Sequence, residues 1–143
     1  MTDANNKALG IVRSLFAAET LERGFDVVAD NVVVYDWTAQ TEVHGKQALM
    51  EKILRPSDTA FADGQFAINY LFAGDNGMVV LDAVFTARFV SAYKGIPAHG
   101  GNVEWKIRDM FLVENNKVTC MWYASDTLAM AKSLRAVDPA LLA

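Results

Sequence analysis

The chain has 143 residues, 52% of them hydrophobic and 21% charged, which suits one folded domain with a buried core. Its net charge of −4, without any cluster of Lys or Arg, excludes the electrostatic footprint of a protein that grips a phosphate backbone, so nucleic acid is not an expected partner. The single cysteine, Cys120, excludes a disulfide framework and a Cys-rich metal site, and the two histidines, His44 and His99, stand in no ligand spacing; neither a metal nor another cofactor is expected.

Met1 to Asn6 is polar and no apolar run approaches the ~18 residues of a membrane span, so the expectation is a cytoplasmic protein that makes no use of a membrane. Leu9, Val12, Leu15 and Phe16 recur at helical spacing over residues 5–18, and Leu21, Phe25 and Val28 continue it as a second short helix. Val32 to Trp37 is rich in β-branched and aromatic residues, which pack well on a pleated surface, and predicts a strand. A polar link ends at Gly45, and Ala48, Leu49, Lys52 and Ile53 form one face of a third helix stopped by Pro56.

From Phe61 the period changes to two. Phe66, Ile68, Tyr70 and Phe72 alternate with Ala67, Asn69 and Leu71, and Gly74-Asp75-Asn76-Gly77 supplies a turn into a long strand from Met78 to Val90. Lys94-Gly95-Ile96-Pro97 breaks regular pairing, after which strands over 103–113 and 117–125 meet at Glu114-Asn115-Asn116. Asp126 is placed to cap a last amphipathic helix that reaches Leu134. Consecutive strands joined by short turns pair antiparallel, and such a sheet twists around helices on one face. The expected fold is α+β: a cone whose curved, mixed or antiparallel sheet wraps the N-terminal helices and encloses one apolar pocket.

Tyr93-Lys94-Gly95-Ile96-Pro97-Ala98-His99-Gly100 resembles the G-x-P-P-T-G segment of the SnoaL-like polyketide cyclases, and Asp109-x-Phe111-x-Val113, Lys117-Val118, Trp122 and Asp126 resemble their D-x-F-x-I, D-G-K-I and W-x-x-x-D ending. With the element order, the chain is identified as a member of that branch of the nuclear transport factor 2-like superfamily, one domain over 1–143. The resemblance implies a homodimer formed through the outer sheet face, with residues 135–143 as a tail over the pocket or the interface. Asn116 stands where the family has a turn glycine, His99 where it has threonine, and Tyr123 where the cyclases carry their acid/base aspartate.

Asp36 ends a Val-rich strand and shares a face with Val32 and Val34. The resemblance extends to ketosteroid isomerases, whose general-base aspartate lies at the place of Asp36. With one residue gapped in the last turn, Asp109 falls on their neutral, hydrogen-bond-donating acid; a gapless alignment puts Arg108 there. An apolar pocket raises a carboxyl pKa by desolvation and a neighbouring charge raises it further, so one carboxylate could act as base while the other donates to an enolate oxygen. The bland alternatives are a solvated strand-end carboxylate for Asp36 and an outward ion pair with Arg88 or Lys106 for Asp109.

Phe16, Trp37, Phe85, Trp105 and Trp122 are read as substrate-contacting wall or as core, Tyr123 as a phenol donor or as packing, and His99 as part of the mouth or as surface. Ala83 and Phe85 occupy the positions where an epoxide hydrolase of the limonene type would carry Arg-x-Asp, which argues against that chemistry. The expected function is a cofactor-free acid/base enzyme of isomerase, cyclase or dehydratase type, with Asp36 and Asp109 catalytic, acting on a small hydrophobic carbonyl compound. The alternatives are a non-catalytic binding module for a hydrophobic ligand and a protein-interaction domain with a closed pocket.

Overall fold

The structure, a computed structural model, describes residues 2–17 and 24–137. Its elements are α1 (Asp3–Ala17), a 3-10 turn at Phe25–Val27, β1 (Val28–Asp36), β2 (Thr41–His44), α2 (Lys46–Leu49), a π-helical turn at Met50–Leu54, α3 (Arg55–Ala60), β3 (Phe61–Ala73), β4 (Met78–Phe89), β5 (Asn102–Glu114), β6 (Lys117–Tyr123) and α4 (Thr127–Ser133). Six strands form one sheet in the order β2-β1-β6-β5-β4-β3. Only the β1–β6 pair is parallel, so the sheet is mixed, with the first long strand laid beside the last.

Period-two alternation decides the two faces. On β4 the buried residues are Val79, Leu81, Ala83, Phe85, Ala87 and Phe89, and on β5 they are Val103, Trp105, Ile107, Asp109 and Phe111. These odd positions face inward, where α1 covers them with Ala8, Leu9 and Val12. Fully burying a side chain such as Phe89 or Leu81 contributes about 1.5–3 kcal/mol each, which makes this concave face the main source of stability. The rings of Phe61, Phe85, Phe89 and Trp105 interlock there with centroids 5.0–5.7 Å apart.

Three boundaries differ from the sequence reading. Val28, assigned to a helical pattern, opens β1, which is irregular between Val28 and Val33 before regular pairing begins. The link before Gly45 contains β2, a four-residue edge strand that buries only Val43 and so shows no visible alternation. The third helix does not stop at Pro56. The π turn at Met50–Leu54 lies just before it, and a π turn widens the backbone where the proline ring would otherwise meet the carbonyl of Lys52, so the helix runs on to Ala60. Asn115 and Asn116 both adopt positive φ, 51° and 63°, in the last turn, a conformation that Asn tolerates better than most residues. Leu21 and the tail beyond Val137 lie outside the described residues.

Candidate active site

The register of the sheet builds a transverse row. Asp36 on β1 pairs with Tyr123 on β6. Tyr123 stands across from Asp109, one step beyond the pair Met110 with Trp122 and two before Ile107 with Ser125; Asp109 in turn pairs with Leu81. Residues aligned across a sheet share a face, so Asp36, Tyr123 and Asp109 all point into the cone. Strands lie about 4.8 Å apart, so the two aspartate backbones are about 10 Å apart with the tyrosine between them. Asp36 is 9% and Asp109 6% exposed, so neither is the solvated carboxylate that a strand end would offer. Arg108, the alternative to Asp109, points out of the cone and bonds Asp82 at 2.7 Å. Arg88 pairs with Asp63, not with Asp109.

Both carboxyls are anchored by backbone amides left over where strands end. Asp36 Oδ1 accepts Ala39 N–H at 3.0 Å, closing the turn after β1. Asp109 Oδ1 accepts Ala124 N–H at 3.0 Å, the first amide beyond β6. Burial pushes the Asp109 pKa up, the Ala124 bond opposes this, and the charge of Asp36 adds to the rise, leaving Asp109 at about 7. Tyr123 is raised well above the usual phenol range by burial and then by the charges of Asp109 and Asp36, so it acts as a donor and never as a base. Its hydroxyl donates to Met121 Sδ at 3.1 Å, a weak acceptor.

The concave face forms a half-open cavity of about 990 Å³ whose lining includes Phe16, Asp36, Phe85, Trp105, Asp109 and Tyr123. That volume lies at the upper end of small-molecule sites and admits a compound of several fused rings. Arg55, Asp58, Asp63 and Lys94 add charged groups to its lining.

Three expected wall residues are placed elsewhere. Trp37 is 57% exposed, because it follows the inward Asp36 and alternation turns it out. Trp122 precedes the inward Tyr123 and lies on the convex face, stacked on Tyr35 at 5.9 Å. His99 is pinned away from the cavity: its Nδ1 accepts Gly101 N–H at 3.0 Å and its Nε2 lies 2.9 Å from the Ser133 carbonyl oxygen. Sequence reasoning missed Tyr93, Phe61, Phe66 and Ile107 in the lining. In the sequence Tyr93 stands out only as part of a loop motif. Ile107 carried a usable signal, since it alternates with Trp105 and Asp109.

The curved mixed sheet wrapped around N-terminal helices is the nuclear transport factor 2-like architecture. The sequence profile of the SnoaL-like polyketide cyclases matches residues 6–134, and the chain belongs to that family. Among curated proteins none matches the sequence. Solved structures share the fold closely. A protein of Jannaschia sp. CCS1 assigned to the SnoaL-like polyketide cyclases superposes with a TM-score of 0.85 at 16% identity over 96% of this chain and 98% of that one. AclR of Streptomyces galilaeus, a proposed hydroxylase, gives 0.80 at 20% identity over 93% and 98%. A proposed polyketide cyclase of Xanthomonas campestris pv. campestris gives 0.80 at 17% over 92% and 99%.

Proposed function

We propose that the cone catalyses proton abstraction next to a carbonyl in a hydrophobic compound, with Asp36 as base and neutral Asp109 as hydrogen-bond donor to the carbonyl oxygen. The carrying observation is that both carboxyls occupy one apolar cavity wall and that Asp109 is held near pH 7 by its burial. The C–H proton passes to the Asp36 carboxylate, and the electron pair of that bond moves onto the carbonyl oxygen as an enolate. The second oxygen of Asp109, the one not bonded to Ala124, is free to present its proton there. Return of the proton at another carbon gives isomerisation, attack on a second carbonyl gives ring closure, and expulsion of a β-hydroxyl gives dehydration. No step requires a cofactor.

The test uses 2-tetralone, a fused-ring ketone with an acidic C–H beside the carbonyl, in D2O with proton NMR. The wild type should speed deuterium exchange, and Asp36→Asn should remove about 10²–10⁴-fold of the rate while leaving the fold intact. Equal rates in the two proteins would end this reading. The family's acid/base aspartate is Tyr123 here, and its phenol is only a donor, which favours a binding module as the second reading. Saturable 2-tetralone binding with no exchange would support it. The size of the cavity counts against the closed pocket of a pure protein-interaction domain.

We also propose a homodimer through the convex sheet face. Tyr70 and Phe72 pair with the outward Asp82 and Val80 and remain 68% and 54% exposed, so two large aromatic side chains stand on that face for a second copy to cover. The half-buried Cys120, without a partner thiol, fits a reducing compartment such as the cytoplasm. Among the described residues no helix is long and apolar enough to cross a membrane.

A further inference from the structure

One part of the cavity wall is used by neither aspartate. The connection from β4 to β5 folds into a two-residue hairpin in which Tyr93 N–H bonds Ile96 O at 3.0 Å and Ile96 N–H bonds Tyr93 O at 2.8 Å. Lys94 and Gly95 both have positive φ, 50° and 78°, as a type I′ turn requires. In such a turn the flanking residues share a face, and both Tyr93 and Ile96 pack against the core. The Tyr93 ring is held between the buried Phe61, centroids 5.1 Å apart, and the Lys94 ammonium 5.5 Å from its own centroid. The Phe61 contact and the turn together fix where this phenol sits.

Tyr93 lines the same cavity as Asp36 and Asp109, and its hydroxyl makes no hydrogen bond among the described residues. Tyr93 is half-buried, and no buried polar side-chain atom lacks a partner among the described residues, so its hydroxyl is open to the cavity and available to a ligand oxygen. Burial, and then the charge of Asp36, raise its pKa above the usual value, so it keeps its proton at working pH. Tyr123, the other phenol of the cavity, already spends its proton on Met121.

We propose that Tyr93 is a second hydrogen-bond donor to the substrate oxygen, reaching it from the β4–β5 hairpin while Asp109 reaches it from the sheet. This rests on the enolate reading above. An enolate oxygen carries enough lone pairs for two donors, and dividing its charge between two fixed donors stabilises it more than either does alone.

The probe is 2-naphthol, a planar aromatic enol, titrated by its fluorescence across pH, with naphthalene as the oxygen-free control. Asp36→Asn serves as the background, since the base is neutral once it has taken the proton and Asn reproduces that charge. In that background Tyr93→Phe should weaken naphtholate binding about ten- to a hundred-fold, the range of a hydrogen bond to a charged group, and raise the pH at which bound naphthol ionises. Naphthalene affinity should stay within about two-fold and the melting temperature should not move, because Phe keeps the packing on Phe61. A 13C label at tyrosine Cζ gives a direct reading: the Tyr93 resonance should shift on naphtholate binding. Unchanged naphtholate affinity in Tyr93→Phe, with a large loss in Asp109→Leu, would overturn the role of Tyr93 and leave the enolate reading standing. Loss in Tyr93→Phe with none in Asp109→Leu would keep Tyr93 and remove Asp109. Naphtholate that fails to bind even the Asp36→Asn background would overturn both.

Discussion

Asp109 is stabilised by one backbone amide and penalised by the apolar wall around it, and the penalty wins. Its folded pKa of about 7 stands above the ordinary 3.8, so the native state holds a proton that the unfolded chain releases. Stability from this group is therefore complete below about pH 4 and is lost as pH rises through 7, opposite to a salt-bridged aspartate. Asp109→Asn should remove that slope and leave the variant more stable than wild type at pH 8, by on the order of 3 kcal/mol. Denaturant unfolding from pH 4 to pH 8 reads it, and parallel curves for the two proteins would refute it. The same residue shows how far alternation carries. Asp36 was legible as a member of an apolar row with Val32 and Val34, whereas Asp109 came from the resemblance alone, and Trp37 and Trp122 were read as wall although each adjoins an inward residue in its strand. Which of two faces is the inner one is not a property of a strand, so Arg108 and Asp109 remained alternatives until the sheet curved toward one of them.

At the scale of elements, His99 joins the β4–β5 connection to α4. Because its Nδ1 accepts from Gly101, its Nε2 must carry the proton and donate to Ser133 O, while Ser133 Oγ accepts Glu104 N–H at 2.9 Å. The capping of α4 follows the sequence reading: Asp126 accepts Ala129 N–H at 3.1 Å. His99→Ala leaves the Gly101 amide and the Ser133 carbonyl without these partners and should cost about 1–3 kcal/mol. 2-Naphthol affinity should be unchanged, since His99 does not line the cavity; a loss of affinity without a loss of stability would return it to the mouth. At the narrow turns, Gly77 has φ +82°, and a Cβ there would overlap the Val113 carbonyl oxygen. Gly77→Ala should lower stability by more than ~2 kcal/mol in thermal unfolding, combining positive-φ strain with displaced backbone. Only half of this was legible. Gly74 to Gly77 announces a turn, but the approach of the end of β5 at Val113 to it joins residues far apart in the chain.

For the molecule as a whole, the cone separates two surfaces with different work. The concave face carries the cavity, and the convex face carries Tyr35, Trp122, Tyr70 and Phe72. If the convex face pairs two copies, Tyr70→Glu with Phe72→Glu should give a monomer in sedimentation velocity while 2-tetralone exchange per chain is retained, because neither residue lines the cavity. A wild type that sediments as a monomer would remove the dimer.

What the amino-acid sequence determined by itself was local: the long strands from their alternation, the cap at Asp126, the turns at Asn and Gly, and, through the resemblance of two motifs, the family. These depend on neighbours within a few residues, and the chain states them directly. The tertiary structure decided what depends on register and curvature. It set Asp36, Tyr123 and Asp109 in one row by pairing β1, β6 and β5, and sent Trp37 and Trp122 outward. It also brought Tyr93 from a loop motif to the cavity wall, because a side chain's surroundings are chosen by strands and turns distant in sequence.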